Sequence, residues 1–198
     1  MIVEVLDFES VVQHIVANSF VVRPEIRHIV DVAKGEAISS EPIDAPTGVT
    51  PAVLGSRLYL GTENGEVFCI DWKEAKTKWT FADERRAQPI RSSPAATEST
   101  VVIGGRSKKI YAFDPGSGEL QWTFPTRKRV DSSPVVVGQR VFVGSADGRL
   151  YALSLGDGKK VWEYETGAGF AGSAAVAQQR LVIANDEGVI FCFGSKNQ

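Results

Sequence analysis

The sequence has no apolar run approaching the length that crosses a bilayer, and its first ten residues, MIVEVLDFES, carry acids where an export signal carries Lys or Arg. Membrane insertion is therefore not expected. The chain as it stands favours the cytoplasm over the periplasm, although a chain trimmed from a longer exported protein would read the same. Histidine is scarce: neither His14 nor His28 has a spaced carboxylate or cysteine with which to build a triad or a metal set. The two cysteines, Cys69 and Cys192, stand far apart and form no C-x-x-C pair, so no metal or redox role is expected of them. No phosphate-cradling G-x-x-x-x-G-K-[ST] loop occurs. Excess charge is lacking too. A net charge of −2 over 198 residues, with few aromatics interleaved among the Arg and Lys side chains, points away from nucleic acid as a partner.

What the sequence does have is repetition. The stretch Ser132–Trp162, SSPVVVGQRVFVGSADGRLYALSLGDGKKVW, reads as three short β-segments closed by tight turns, with a fourth opening at Lys159. Close variants flank it on both sides. A first strand opens at Pro51, Pro94, Pro134 and Ala174, and a second closes at Gly61, Gly104, Gly144 and Ala184, with steps of 43, 40 and 40 residues in both series. Trp79, Trp122 and Trp162 step by 43 and then 40 residues. One three-residue insertion between Trp79 and Pro94 accounts for the longer step.

A period of this length with several short strands per unit predicts an all-β propeller, of about five four-stranded blades at a period of about 40 residues. One such sheet cannot cover both of its faces, so blades stack face to face, and a Trp once per unit suits the wedge between them. Hairpins are expected at Asn64-Gly65, Asp147-Gly148 and Glu187-Gly188, and turns at Gly116-Ser117-Gly118 and Gly156-Asp157-Gly158. Aligning the units puts Cys69, Ala112, Ala152 and Cys192 at one position, which reads as a tight core slot. Tyr111 and Tyr151 share another position and read as core or wedge aromatics, while Asp71 and Asp114 read as turn-forming residues.

The chain reads as one domain, 1–198, with units near 7–44, 45–84, 88–127, 128–167 and 168–198. The first unit is degenerate. Asp31–Gly35 matches Asp114–Gly118, Ser39 falls where a Trp would, and 25–40 reads as the third and fourth strands of that blade, preceded by strands at Ser19–Arg23 and Val11–Val16. Phe8–Ala17 also fits a short helix, because its apolar residues recur at helical spacing. The last unit stops after its third strand, leaving an edge that sheet proteins usually cover. The alternating segment Met1–Leu6 has no place in the first blade and is a candidate to pair there and close the ring.

The segments SSPVVVGQRVFVGSADGRLYALSLGDGKKVW and SSPAATESTVVIGGRSKKIYAFDPGSGELQW resemble the repeats of the quinoprotein-type (PQQ-like) β-propeller family, over roughly residues 49–194. They share its Ser-Ser-Pro opening, Val-x-Val-Gly second strand, Tyr-Ala-Leu/Phe third strand and Gly-x-x-x-Trp close. The resemblance implies a propeller and leaves function open, since the family includes quinone-dependent dehydrogenases, outer-membrane assembly scaffolds resembling BamB, and sensor modules. Family rings commonly have more blades, so the chain is a small closed ring, an open arc, or part of a larger propeller completed by a second copy in a homodimer. The adjacent cysteine pair of the quinone-dependent dehydrogenases is missing, and no cofactor is expected of the chain by itself.

Function is expected where the connections between blades and the hairpins between second and third strands emerge together. There the charge varies between blades. Arg85, Arg86 and Arg91, Arg106, Lys108 and Lys109, and Arg127, Lys128 and Arg129 make a basic sector, while equivalent loops such as Thr62–Asn64 and Asn185–Glu187 are neutral or acidic. The expectation is a non-enzymatic module that offers this face to a protein or peptide. Exposed loops also carry charge simply to stay soluble. The alternatives are part of a quinone-dependent oxidoreductase or a small-ligand sensor using the channel mouth, which Phe170 in the small connection before the last blade would line.

Overall fold

The structure, a computed structural model, describes residues 27–31, 36–41, 46–83 and 87–194, the first two stretches by their backbone. Met1–Leu6, the two candidate strands before Arg23, His14, and the pair Arg85 and Arg86 lie outside the described residues. Every described regular element is a β-strand.

Four antiparallel meanders carry the fold. The first contains β3 (Ala52–Leu54), β4 (Arg57–Gly61), β5 (Glu66–Asp71) and β6 (Lys76–Ala82). The second contains β7 (Ala95–Ala96), β8 (Val101–Gly105), β9 (Lys109–Phe113) and β10 (Leu120–Pro125). The third contains β11 (Val135–Val137), β12 (Arg140–Gly144), β13 (Arg149–Ser154) and β14 (Lys160–Glu165). The last has three strands, β15 (Ala175–Ala177), β16 (Arg180–Ala184) and β17 (Ile190–Gly194). Ahead of them, β1 (Arg27–Asp31) pairs with β2 (Glu36–Glu41). The landmark Pro and Gly residues bracket these strands as the repeat predicts.

The degenerate unit keeps the register of the others. Cys69 lies opposite Trp79, Ala112 opposite Trp122 and Ala152 opposite Trp162, each beside a bulge that skips the residue before the Trp. Ile29 lies opposite Ser39 with its bulge at the same place. A bulge sharpens the local twist of an edge strand, and its recurrence marks β1 and β2 as the third and fourth strands of a blade.

Neighbouring sheets face one another across dry cores. Tyr59, Val67 and Cys69 from one sheet meet Val101, Ile103 and Phe113 from the next. Val102, Ile110 and Ala112 likewise meet Val141, Val143 and Leu153. Phe142 and Leu150 meet Leu181 and Ile183.

The Trp side chains fasten these junctions. Trp79 Nε1 donates to the carbonyl of Pro115 (3.1 Å), and Trp122 Nε1 to that of Leu155 (2.8 Å), in each case on the next blade. The indoles press so closely on Gly118 and Gly158 that a Cβ there would lie 2.5 Å from a ring carbon. At the same position of the preceding turn stands Ala75, also at positive φ, and the unit before it has Ser39 in place of a Trp. The glycine is required only where a Trp lands on it.

A second seam runs along the Ser-Ser-Pro motifs. Thr50 N donates to Ser93 Oγ (3.0 Å), Ser93 N to Ser133 Oγ (2.9 Å) and Ser133 N to Ser173 Oγ (3.0 Å). These bonds step along the chain at the repeat spacing, so each hydroxyl ties one blade to the one before it. Ser92 and Ser132 instead bond within their own blades, accepting from Gly104 N and Gly144 N.

Candidate functional site

The connections between blades and the second-to-third-strand hairpins do share one face, and backbone hydrogen bonds weave them together. Val130 N donates to Gly105 O (3.1 Å) and Ala146 N to Arg129 O (3.0 Å), so each connection is held between the hairpins of two blades. Ile90 and Phe170 repeat the bond of Val130, donating to Thr62 O and Ser145 O. All three side chains are buried plugs. They sit on Gly61, Gly104 and Gly144, where a Cβ would come within 2.5 Å or less of the plug. Phe170 is 0% exposed; it does not line an open channel, because it fills the gap that Gly144 leaves.

Of the seven described members of the basic sector, Arg91, Arg106, Lys109 and Arg129 are in ion pairs, the first three across a blade junction. Arg91 makes a forked pair with Glu63 on the preceding hairpin, its Nε 2.9 Å from Oε1 and its Nη2 3.0 Å from Oε2. One blade later the same two positions exchange signs. Arg106 on the hairpin pairs with Asp131 on the following connection through two parallel bonds of 2.8 Å. In the next repeat both positions are alanine, Ala146 and Ala171. Arg129 also reaches Asp131 (2.9 Å), and Lys109 reaches Asp83 (2.8 Å), which accepts from the Tyr111 hydroxyl as well. Burial by itself would raise the Asp131 pKa, but the two guanidiniums outweigh it and hold the carboxyl below its ordinary value.

Three candidates are left over. Lys108, Arg127 and Lys128 are exposed, and none is in an ion pair with a described residue. They belong to one patch, because Thr126 N donates to Lys108 O (2.9 Å) and brings the connection against the hairpin. The connection itself is pinned: Thr126 Oγ1 donates to Lys128 O (2.6 Å) and Arg127 N to Asp147 Oδ2 (2.9 Å). Lys108 also has a backbone anomaly. It has φ 65°, at the hairpin position where the other three described sheets have Gly65, Gly148 and Gly188. A side chain in this left-handed region costs roughly 1–2 kcal/mol, and such outliers collect at functional sites.

The remaining polar groups are structural. Asp71 accepts from Lys73 N and Glu74 N, and Asp114 from Gly116 N and Ser117 N, which lowers both carboxyl pKa values as turn-forming residues require. Tyr111 and Tyr151 are buried aromatics whose hydroxyls bond Asp83 and Asp147. Burial pushes the Tyr59 hydroxyl up to about 12, and that hydroxyl donates to Pro115 O. Two hollows of about 380 Å³ lie at the first of these blade junctions. In the first Arg57 donates to Pro115 O, and in the second Asp83 accepts from Lys109. Among the described residues no cluster of three or more His, Cys, Asp or Glu side chains is placed to hold a metal ion.

The model of the family described as outer membrane protein assembly factor BamB matches residues 84–197. The chain belongs to the BamB family. BamB from Moraxella catarrhalis superposes with a TM-score of 0.74 at 21% identity, over 87% of this chain and 52% of that one. Sqt1 from Saccharomyces cerevisiae gives 0.75 at 14% identity, over 87% and 53%. The quinohemoprotein alcohol dehydrogenase ADHIIG from Pseudomonas putida HK5 gives 0.74 at 15%, over 85% and 37%. The chain thus spans about half the length of the BamB structure it resembles. No curated protein matches it. The likeness to BamB, Sqt1 and a dehydrogenase alike is a likeness of fold.

Proposed function

We propose that this chain is a non-enzymatic propeller module, one domain, whose hairpin face binds an acidic segment of a protein or peptide through Lys108, Arg127 and Lys128. The observation that carries this reading is Lys108. Three sister hairpins relieve the left-handed turn with glycine; this one keeps a lysine there, beside two further cations free of described acids. Their connection is pinned at both ends by backbone bonds, so little order is lost when they meet a carboxylate partner. The wider basic sector contributes less, since Arg91, Arg106, Lys109 and Arg129 already hold acids. The competing reading, part of a quinone-dependent oxidoreductase, has the fold likeness to a quinohemoprotein dehydrogenase in its favour and no described residue set.

The test uses a fluorescein-labelled hexaglutamate peptide, followed by anisotropy across a salt series. Binding that weakens with salt, and falls at least tenfold in a Lys108→Gly, Arg127→Ser, Lys128→Ser chain, is the expected result. All three side chains are exposed, and the Lys108→Gly change removes strain, so the variant keeps its fold. Equal binding by the two chains, or none by either, overturns the reading.

A further inference from the structure

At the end of the strands away from the hairpin face, a hollow of about 380 Å³ opens between the sheet β3–β6 and the sheet β7–β10. Arg57 and Tyr59 line it from the first sheet, and Glu98, Asp114, Pro115 and Gly116 from the second. Its charges are only partly used. Arg57 Nη1 donates to Pro115 O (3.0 Å), and the same carbonyl accepts from the Tyr59 hydroxyl (3.1 Å) and from Trp79 Nε1 (3.1 Å). A carbonyl oxygen has two lone pairs, so three donors share it, and a guanidinium has further N–H groups to place. Among the described residues Arg57 and Glu98 are in no ion pair, and the Glu98 side chain accepts no hydrogen bond. Asp114 holds its turn through Oδ1, which accepts from Gly116 N (2.8 Å), Ser117 N (2.7 Å) and Ser117 Oγ (3.0 Å); its Oδ2 accepts from no described residue.

The repeat shows that the fold does not need this set. At the next junction the positions of Arg57, Tyr59, Glu98 and Asp114 are taken by Thr100, Val102, Gly138 and Ser154. There Trp122 Nε1 holds the carbonyl of Leu155, at the place of Pro115, without help from an arginine or a tyrosine. Gly116 keeps the hollow open. A Cβ on it would lie 3.1 Å from Asp114 Oδ1 and 3.3 Å from Arg57 Nη1, whereas one on the equivalent Gly156 would meet nothing within 4 Å. The backbone does not demand the glycine, since Gly116 is not at positive φ and the preceding sheet has Lys73 at that turn position.

We propose that this hollow binds a free α-amino acid, its carboxylate on the Arg57 fork and its ammonium on Asp114 and Glu98. A simple anion would meet the two acids and a simple cation the guanidinium, so a molecule that carries both charges is the one the lining satisfies. The spacing agrees. Arg57 Nη1 and Asp114 Oδ1 both lie within 3.3 Å of one point beside Gly116, which suits a zwitterion whose two charged groups share a single carbon. Arginine presents a planar fork to a carboxylate, and Asp114 Oδ2 with the Glu98 carboxylate supplies acceptors for an ammonium. The hollow lies at the opposite end of the strands from Lys108, Arg127 and Lys128, so the inference does not rest on the reading of the hairpin face.

Thermal unfolding of the intact chain with each standard free L-amino acid, beside its N-acetyl derivative and its methyl ester, tests it. At least one amino acid should raise the midpoint. Neither blocked form should, because each lacks one of the two charges. Calorimetric titration of that amino acid then reads two variants. Glu98→Gln, on an exposed side chain between strands, keeps the fold and should weaken binding about tenfold, the worth of one charge-assisted hydrogen bond. Gly116→Ala, which puts a methyl group between Arg57 and Asp114, should weaken it at least as much while leaving the far-ultraviolet circular dichroism unchanged. Four outcomes overturn the inference: no amino acid moves the midpoint; a methyl ester acts as well as its parent, which means a cation site; an N-acetyl derivative does, which means an anion site; or binding is unchanged in both variants, which places the ligand elsewhere.

Discussion

Cys69 and Cys192 occupy the same position of the same repeat, on the same side of the same strand, and meet opposite surroundings. The first is sealed between two sheets and its thiol is pushed up by burial; the second is exposed. Nothing local to either residue accounts for this. The difference lies in whether a further described sheet packs on that face, and the same contrast runs through Val67 and Ile190, and through Gly104 and Ala184. Blade junctions are thus where the stability of the fold resides. A sheet contributes fully only when both of its faces are taken.

The comparison can be broken most forcefully at two glycines with nearly the same backbone. Gly118 has φ 75° and Gly188 φ 81°, but a Cβ on Gly118 would strike Trp79, whereas nothing lies within 4 Å of one on Gly188. Alanine at Gly188 should cost roughly 1–2 kcal/mol, from the left-handed backbone alone. At Gly118 overpacking against the indole should add about 1–3 kcal/mol more. Chemical denaturation of the two variants reads the gap directly; equal losses would mean that Trp79 does not hold the junction. The thiols sharpen the same point at a smaller scale. Cys69→Ser places a hydroxyl in a dry core and should cost about 1–3 kcal/mol. Cys192→Ser, at an exposed side chain, should leave the midpoint unchanged.

The smallest effect expected is electrostatic. Asp131 has a depressed pKa in the folded chain, so its contribution to stability is present at neutral pH and is lost as the pH falls through the acid range below the usual carboxylate value. Asp131→Asn should therefore flatten the acid limb of stability against pH while barely moving the alkaline limb. An unchanged acid limb would mean that the link between Arg106 and the next blade carries no energy.

Much of this was legible before any coordinates. The Pro, Gly and Trp landmarks fixed the strands, and Ser39 already stood at the Trp position of the degenerate unit, where it pairs in the register of Trp79; the bulge beside it came only with the structure. The basic sector was legible only as charge. The acids that meet Arg91 and Arg106 lie across a blade junction, Glu63 28 residues before the first and Asp131 25 residues after the second, so pairing depends on which hairpin meets which connection. The repeat contains a usable signal: the same two positions hold Glu and Arg, then Arg and Asp, then two alanines. The strain at Lys108 was also within reach, because aligning the hairpins sets a lysine against three glycines.

The sequence by itself determined the repeat, the all-β class, the turns and the positions that must be small or large, because strand alternation and turn chemistry act between residues close along the chain. Only the tertiary structure decided which charges are spent and which remain, why Phe170 is a plug, and that Val182, Ile190 and Cys192 are exposed. Those outcomes depend on contacts between blades. Whether a residue is buried there is a property of its neighbour across the gap, which its own strand does not encode.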